Sequence, residues 1–208
     1  MAETIVNIIQ LVLVGIYTGL TLRRTIQSGK REWVFLLLFY CTFFLGVFYW
    51  LLYVVFYGAS PQFSYTSDLS WDAGYLFLIM LLSERDGWFK GYRCRIAWIG
   101  PVFAGIMCLF YMQWGDYIGN ILTLVLMGLL LWHSLRGLAF FWGKKGKKTC
   151  DRCVYIVTIV YCLIEYTLWT LSCFWMGDTM ANPYFWVDLL LSVWLFFFYP
   201  ALNKAVDR

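Results

Sequence analysis

Charged residues are scarce in this chain, and their scarcity excludes a water-soluble fold. Only 13% of the 208 residues are charged, whereas 62% are hydrophobic and 22% are aromatic. A soluble domain carries about 25% charged residues. The apolar residues form blocks of about 17 to 25 residues separated by short charged stretches, which is the spacing of membrane-spanning helices.

Motifs for catalysis and metal binding are also missing. The chain has one histidine, His133, which supplies neither a haem pair nor a zinc site. It has no nucleophile–histidine constellation, no His-Glu-x-x-His motif and no phosphate-binding Gly-rich loop. We therefore expect no enzyme activity, no metal, no cofactor and no nucleic-acid partner. Since no Asn-x-Ser/Thr acceptor occurs, a bacterial cytoplasmic membrane is favoured over a glycosylated cell surface.

Cysteine gives no clear sign of a site. Cys150 and Cys153 form a Cys-x-x-Cys pair in a basic stretch that we expect to be cytoplasmic. Thiols are normally reduced there, and no second pair or nearby histidine completes a zinc set. We interpret both as ordinary loop thiols, with a redox or metal role as the alternative.

Seven apolar segments are predicted to span the membrane. In chain order they cover residues 5–22, 33–58, 69–83, 96–112, 117–135, 154–175 and 185–199. Backbone polar groups in lipid must be satisfied within the segment, and the alternation of a barrel strand is absent. The predicted fold class is therefore all-α and polytopic, a single transmembrane domain over residues 1–208.

The basic residues predict the orientation. All 16 Lys and Arg residues lie between segments 1 and 2, 3 and 4, 5 and 6, or after segment 7. Cytoplasmic loops collect Lys and Arg, so the N-terminus is predicted outside and the C-terminus inside. No basic residue precedes segment 1, which we therefore expect to be a retained span and not a cleaved signal peptide.

Three acidic residues fall inside predicted spans, where an ionisable group marks a function by default. Glu165 lies about ten residues, or roughly 15 Å, from either end of segment 6, near the bilayer midplane. We expect it to be substrate-binding or proton-linked, with a hydrogen bond to a neighbouring helix as the alternative. Asp72 and Asp188 lie about one turn below the outer surface. They form either an acidic mouth that attracts cations or acidic residues at helix N-termini, where the helix dipole favours them.

Aromatic and amide side chains predict a pocket around Glu165. Trp169 shares one helical stripe with it, and segment 2 presents Trp50 and Tyr53 along one side. Segments 1 and 5 carry Asn7 and Asn120. If these stripes face each other, they form a lining for a flat or cationic organic ligand.

Other aromatic residues near the segment ends are interpreted differently. Trp and Tyr also populate the interfacial belts of membrane proteins. We assign this role to Trp71 and Tyr184, among others.

Segments 1 and 5 resemble each other at an offset of 113 residues. Residues 7–15 (NIIQLVLVG) align with residues 120–128 (NILTLVLMG), and Leu-Arg at 22–23 aligns with Leu-Arg at 135–136. Weaker matches pair Trp50 with Trp169 and Asp72 with Asp188. The chain is thus predicted to consist of two three-helix halves, 1–93 and 116–208, joined by a linker helix within 94–115.

This three-plus-one-plus-three arrangement resembles the transporter and opsin type of seven-helix protein. Its members include SWEET sugar facilitators, PQ-loop transporters and vitamin transporters of the nicotinamide-riboside type. The Pro61-Gln62 pair lies in a predicted loop and not in a helix, and segment 7 has no Lys for retinal. The resemblance therefore implies solute transport and not retinal binding.

The sequence thus predicts a small-solute transporter or facilitator with its site between the two halves. The expected partners are the lipid bilayer and a small organic solute, aromatic or cationic, together with a homo-oligomeric copy or a membrane partner protein. The alternative is a seven-helix receptor or a membrane-complex subunit that binds a ligand or partner without transport.

Overall fold

Helices make up the structure of this chain. The computed structural model describes residues 2–58, 65–86, 92–142 and 151–206, and no strand occurs in these ranges. The helices are α1 (Ala2–Ser28), α2 (Arg31–Tyr57), α3 (Tyr65–Asp86), α4 (Ile99–Tyr111), α5 (Tyr117–Phe141), α6 (Asp151–Phe174), α7 (Pro183–Leu195) and α8 (Phe198–Val206). Single 3₁₀ turns flank α4 at Ile96–Trp98 and Met112–Trp114. The predicted all-α class is confirmed.

Six of the seven predicted segments are long and apolar enough to cross a membrane. They correspond to α1, α2, α4 with its 3₁₀ turns, α5, α6, and α7 together with α8. Segment 3 lies in α3, whose 22 residues span roughly 33 Å. This helix is more polar because it carries charged residues at both ends, among them Asp68, Asp72, Glu84 and Arg85.

The outer faces of the helices are apolar. Val12 and Ile16 on α1 are 56% and 52% exposed, and Leu109 on α4 is 71% exposed. Exposed large apolar side chains recur along nearly every helix. A continuous apolar surface of this kind suits lipid and not water.

Six helices form a closed ring. Going round it, α1 packs against α2, α2 against α3, α3 against α5, α5 against α6, α6 against α7, and α7 against α1. Helix α4 lies outside the ring, mainly against α5. There Gly100 allows the close approach, since a Cβ on it would lie 2.7 Å from the Cβ of Leu131.

The two ends of the ring differ in charge. One end, here called the acidic end, holds the N-termini of α1, α3, α5 and α7, with Glu3, Asp68, Asp116 and Asp178 nearby. The other end, the basic end, holds all the Lys and Arg residues of the described chain.

Segment 7 was predicted as one continuous span, but the helix breaks at Phe196 and Phe197 between α7 and α8. Pro200 accounts for the break, because a helical proline removes a backbone donor and its ring clashes with the carbonyl four residues earlier. The break frees the Leu195 carbonyl, which accepts a 2.7 Å hydrogen bond from the hydroxyl of Tyr40. Tyr40 is fully buried, so this bond satisfies a backbone group that water does not reach.

Helix α8 turns inward and closes the basic end. It packs against α6 and α2. With its neighbours it forms what we call the aromatic floor, four side chains that are at most 1% exposed: Phe39, Tyr40, Tyr161 and Phe198. Their rings pack edge-on or tilted, with Phe39 5.9 Å from Tyr161 and 5.5 Å from Phe198 between ring centroids.

A buried ion pair lies at the same end. The guanidinium of Arg85 in the last turn of α3 donates to the carboxylate of Asp151 in the first turn of α6. Both side chains are 7% exposed. This pair joins the predicted first half of the chain to the second.

Candidate functional site

A cavity of about 440 Å³ lies at the acidic end of the ring. Helices α1, α2, α3, α6 and α7, the α6–α7 connection and the N-cap of α5 contribute to its wall. Met176 of the connection is 87% exposed and lines the cavity, which therefore reaches the molecular surface. The volume is within the range of ordinary small-ligand sites.

The helices reach the cavity through stripes at helical spacing. Glu3, Asn7 and Gln10 form the stripe of α1, and Glu165, Trp169 and Ser172 form that of α6. Residues three or four positions apart share one helix face. The polar faces of these otherwise apolar helices thus point inward to one space.

Carboxyl groups dominate the charge of the cavity. Six of the twelve acidic residues of the chain line it: Glu3, Asp68, Asp116, Glu165, Asp178 and Asp188. Of the lining residues in the described ranges, none is Lys, Arg or His. The field inside the cavity therefore favours cations.

Two of these carboxyl groups lie deep in the wall. Glu165 and Asp188 are 4% and 7% exposed and close enough to interact electrostatically. Gln10 Nε2 donates a 2.8 Å hydrogen bond to Oδ1 of Asp188. The hydroxyl groups of Tyr75 and Tyr161 lie close to the carboxyl group of Glu165. Since Glu165 precedes the end of α6 by nine residues, the pair lies roughly 14 Å or less below that end.

The mouth of the cavity is held by hydrogen bonds to acidic side chains. The indole Nε1 of Trp50 donates to the Glu3 carboxylate at 2.7 Å, and the backbone N–H of Glu3 donates to Asp178 Oδ1 at 2.8 Å. Asp178 thereby places a negative charge at the N-terminus of α1, where the helix dipole favours it. Asn182 fixes the connection that carries Asp178, since its side-chain amide donates to the Gly177 carbonyl at 2.9 Å.

Aromatic rings form much of the remaining wall. Trp50 and Trp71 face each other with ring centroids 6.0 Å apart. The absence of a side chain at Gly46 makes room for Trp71, because a Cβ there would lie 2.8 Å from the indole nitrogen. Trp169 lies opposite on α6, and Tyr75 connects the wall to Tyr161 of the aromatic floor, at 6.2 Å between ring centroids.

The structure brings five of the eight predicted site residues together. Glu165, Asp188, Trp169, Trp50 and Asn7 all line the cavity. They come from α1, α2, α6 and α7, which are far apart in sequence.

The other three predicted residues lie elsewhere. The side-chain amide of Asn120 is buried and donates to the Gly115 carbonyl at 2.8 Å, which fixes the start of α5. Tyr53 packs its ring against Tyr57 at 4.6 Å. Asp72 lies one helical turn from Asp68 on α3, and of these two only Asp68 is among the lining residues.

Two residues assigned to the interfacial belts line the cavity instead. That interpretation of Trp71 and Tyr184 is wrong. A position near the end of a helix is compatible with either role, and only the rotation of the helix decides between lipid and interior. For Tyr184 a signal was present, since it precedes Asp188 by four residues and so shares its face.

Part of the predicted chemistry concerns residues outside the described ranges. Cys153 has a free thiol but lies in the first turn of α6 and packs against the core, so its interpretation as a loop thiol is wrong. Cys150, Pro61 and Gln62 lie outside the described ranges. Within them, no group of three or more His, Cys, Asp or Glu side chains is placed to hold a metal ion.

Fold and site together define a class, an all-helical protein of membrane character with an acidic, aromatic cavity at one end. No family model, no curated protein and no solved structure matches this chain.

Proposed function

We propose that this protein is a small-solute membrane transporter or facilitator, and that its solute binds in the cavity at the acidic end. The observation that carries the proposal is an acidic, aromatic cavity that opens at the acidic end of a closed ring of lipid-compatible helices. The aromatic floor and α8 fill the ring at the other end. A transporter that is open to one side of the membrane has this arrangement.

The proposal includes seven spans, with the acidic end outside and the basic end in the cytoplasm. Helix α3 serves as the seventh span although it is the most polar helix of the ring. Two of its polar groups do not face lipid, since Asp68 lines the cavity and Arg85 pairs with Asp151. The one-sided distribution of Lys and Arg supports the orientation, and we place the protein in a bacterial cytoplasmic membrane.

The ring order supports the proposed internal repeat. A half-turn about the ring axis would exchange α1 with α5, α2 with α6 and α3 with α7, as the sequence match of segments 1 and 5 requires. Helix α4 lies outside the ring, where a linker belongs. Two halves related in this way would give access to alternate sides by rocking against each other, as in other repeat-built transporters.

Uptake into proteoliposomes tests the proposal. The purified protein is reconstituted and offered a panel of cationic, neutral and anionic solutes, with protein-free vesicles as the reference. We expect at least one solute to enter faster than leak, and Glu165→Gln to reduce its uptake. Glu84→Gln on the exposed surface of α3 is the matched control and should retain full uptake.

The closed basic end also fits the alternative of a receptor or complex subunit that binds a ligand without passage. The same experiment separates the two functions. If no solute crosses faster than leak while a ligand still binds the purified protein, transport is refuted. Co-purification of one stoichiometric membrane partner would then identify a subunit.

A further inference from the structure

The identity of the solute follows from the deep carboxyl pair and the walls around it. We infer that the cavity binds an organic cation that carries no anionic group, with its charged nitrogen between Glu165 and Asp188 and its apolar part against the tryptophan walls. The inference rests on the proposed function, because it assigns a ligand class to the same cavity.

The first step is the unused hydrogen-bonding capacity of Asp188. Its side chain is 93% buried, since only 7% is exposed, and it lines the cavity. Among described residues, the only side-chain donor to its carboxyl group is Gln10, which uses Oδ1. Oδ2 is thus left for a group that enters the cavity. A cationic nitrogen bound there would compensate the charge of this carboxyl group, and a protonated amine would also donate a hydrogen bond to Oδ2.

The second step is the sign of the charge. Glu165 and Asp188 lie near each other, with four further acidic residues between them and the surface. No described lining residue is a base that could neutralise them. The carboxylates of the described lining would repel a ligand that carries a carboxylate or phosphate, which disfavours amino acids and phosphorylated compounds. The mouth carboxylates would instead concentrate cations by electrostatic focusing.

The third step is the nature of the walls. Trp50, Trp71 and Trp169 line the cavity. Indole faces attract ammonium groups and stack on flat rings. A cation with an apolar or aromatic body therefore satisfies both the carboxyl pair and the rings, whereas a small inorganic cation would leave the rings without a contact.

Binding of four compounds that share a 3-ethylindole framework and differ in the charged groups of the side chain tests the inference. Tryptamine is a cation, tryptophan a zwitterion, indole-3-propionate an anion and 3-ethylindole neutral. Radiolabelled tryptamine is bound to the full chain in detergent micelles, and the other three compete with it. Radiolabelled tetraethylammonium, a cation of different shape, is bound in a parallel experiment with the same three competitors. We expect tryptamine or tetraethylammonium to bind at least about tenfold more tightly than each of the other three compounds.

Variants then locate the site. Glu165→Gln and Asp188→Asn should each weaken cation binding by about tenfold or more, whereas Glu165→Asp should retain the preference for cations. Glu84→Gln, which lies outside the cavity, should bind like the parent chain. Thermal unfolding of each variant verifies its fold. If Asp188→Asn does not fold, the comparison of Glu165→Gln with Glu165→Asp decides.

Three results would overturn the inference. The first is equal or tighter binding of the neutral, anionic or zwitterionic compound. The second is the failure of both cations to bind below about 1 mM. The third is unchanged cation binding in the folded carboxyl variants. Transport of a neutral or anionic solute, without cation binding, would refute the ligand class but preserve the proposed function. Cation binding without uptake of any solute would refute transport but preserve the ligand class.

Discussion

The acidic and basic ends of the helix ring use polar residues in opposite ways. At the basic end, Arg85 pairs with Asp151 and the Tyr40 hydroxyl pairs with the freed Leu195 carbonyl, both out of reach of water. At the acidic end, Glu165 and Asp188 are similarly buried, and both are carboxyl groups that line one cavity. Buried polar groups are stable when paired and costly when not.

The contrast indicates a division of roles. The basic end holds the helices together through this ion pair and this hydrogen bond. The acidic end holds carboxyl groups without a counter-charge among the described lining residues, which a cationic ligand would supply. Binding sites commonly sacrifice stability in this way. Substitutions at the two ends should therefore change the free energy of unfolding in different directions.

The largest loss of stability is expected from Arg85→Met. The substitution removes the guanidinium from a buried carboxylate, and breaking such a pair costs about 3–5 kcal/mol. Unfolding by sodium dodecyl sulfate in mixed micelles, followed by circular dichroism, measures the change.

Arg31→Met is the matched control for this substitution. Arg31 faces Glu84 at 3.9 Å, with side chains 80% and 43% exposed. An exposed pair of this kind contributes at most about 1 kcal/mol. Equal effects of the two Arg→Met substitutions would show that the basic end is not held by its buried pair.

A smaller loss is expected from Tyr40→Phe. The phenylalanine retains the ring packing of the aromatic floor but leaves the Leu195 carbonyl without its donor, at a cost of about 1–3 kcal/mol. The same unfolding assay measures it. Tyr166→Phe is the control, because the Tyr166 hydroxyl is buried but has no hydrogen-bond partner among described residues. If both changes cost the same, the α7–α8 break does not depend on Tyr40.

The sequence predicted the helices well because long apolar runs leave the backbone few alternatives. It did not predict the break after Leu195, since residues 189–199 are apolar apart from Ser192. Pro200 was the available signal, because its ring acts on the carbonyl four residues earlier. The role of Arg85 was hidden for another reason. A basic residue near the end of a span looks like a loop residue, and only the contact between the end of α3 and the start of α6 reveals its buried partner.

The site was predictable where one helix face contains several polar groups. Glu165 and Trp169 share a stripe, and both line the cavity. Asn7 and Asn120 are aligned in sequence yet make different contacts, because α1 borders the cavity while α5 packs against α3, α4 and α6. The sequence predicts which residues share one face of a helix. Whether that face points to lipid, to the cavity or to a neighbouring helix depends on the packing of the whole ring.

The smallest change is expected from Glu165→Gln, and its sign distinguishes the two ends. An amide of nearly the same shape removes a buried ionisable group that lies near Asp188. The free energy of unfolding should then stay unchanged or rise by about 1 kcal/mol, in contrast to the losses expected at the basic end. The same micelle unfolding assay applies, with Glu84→Gln as the exposed control. A loss comparable to that of Tyr40→Phe would instead mean that Glu165 bonds a neighbouring helix, and that the acidic end is structural like the basic end.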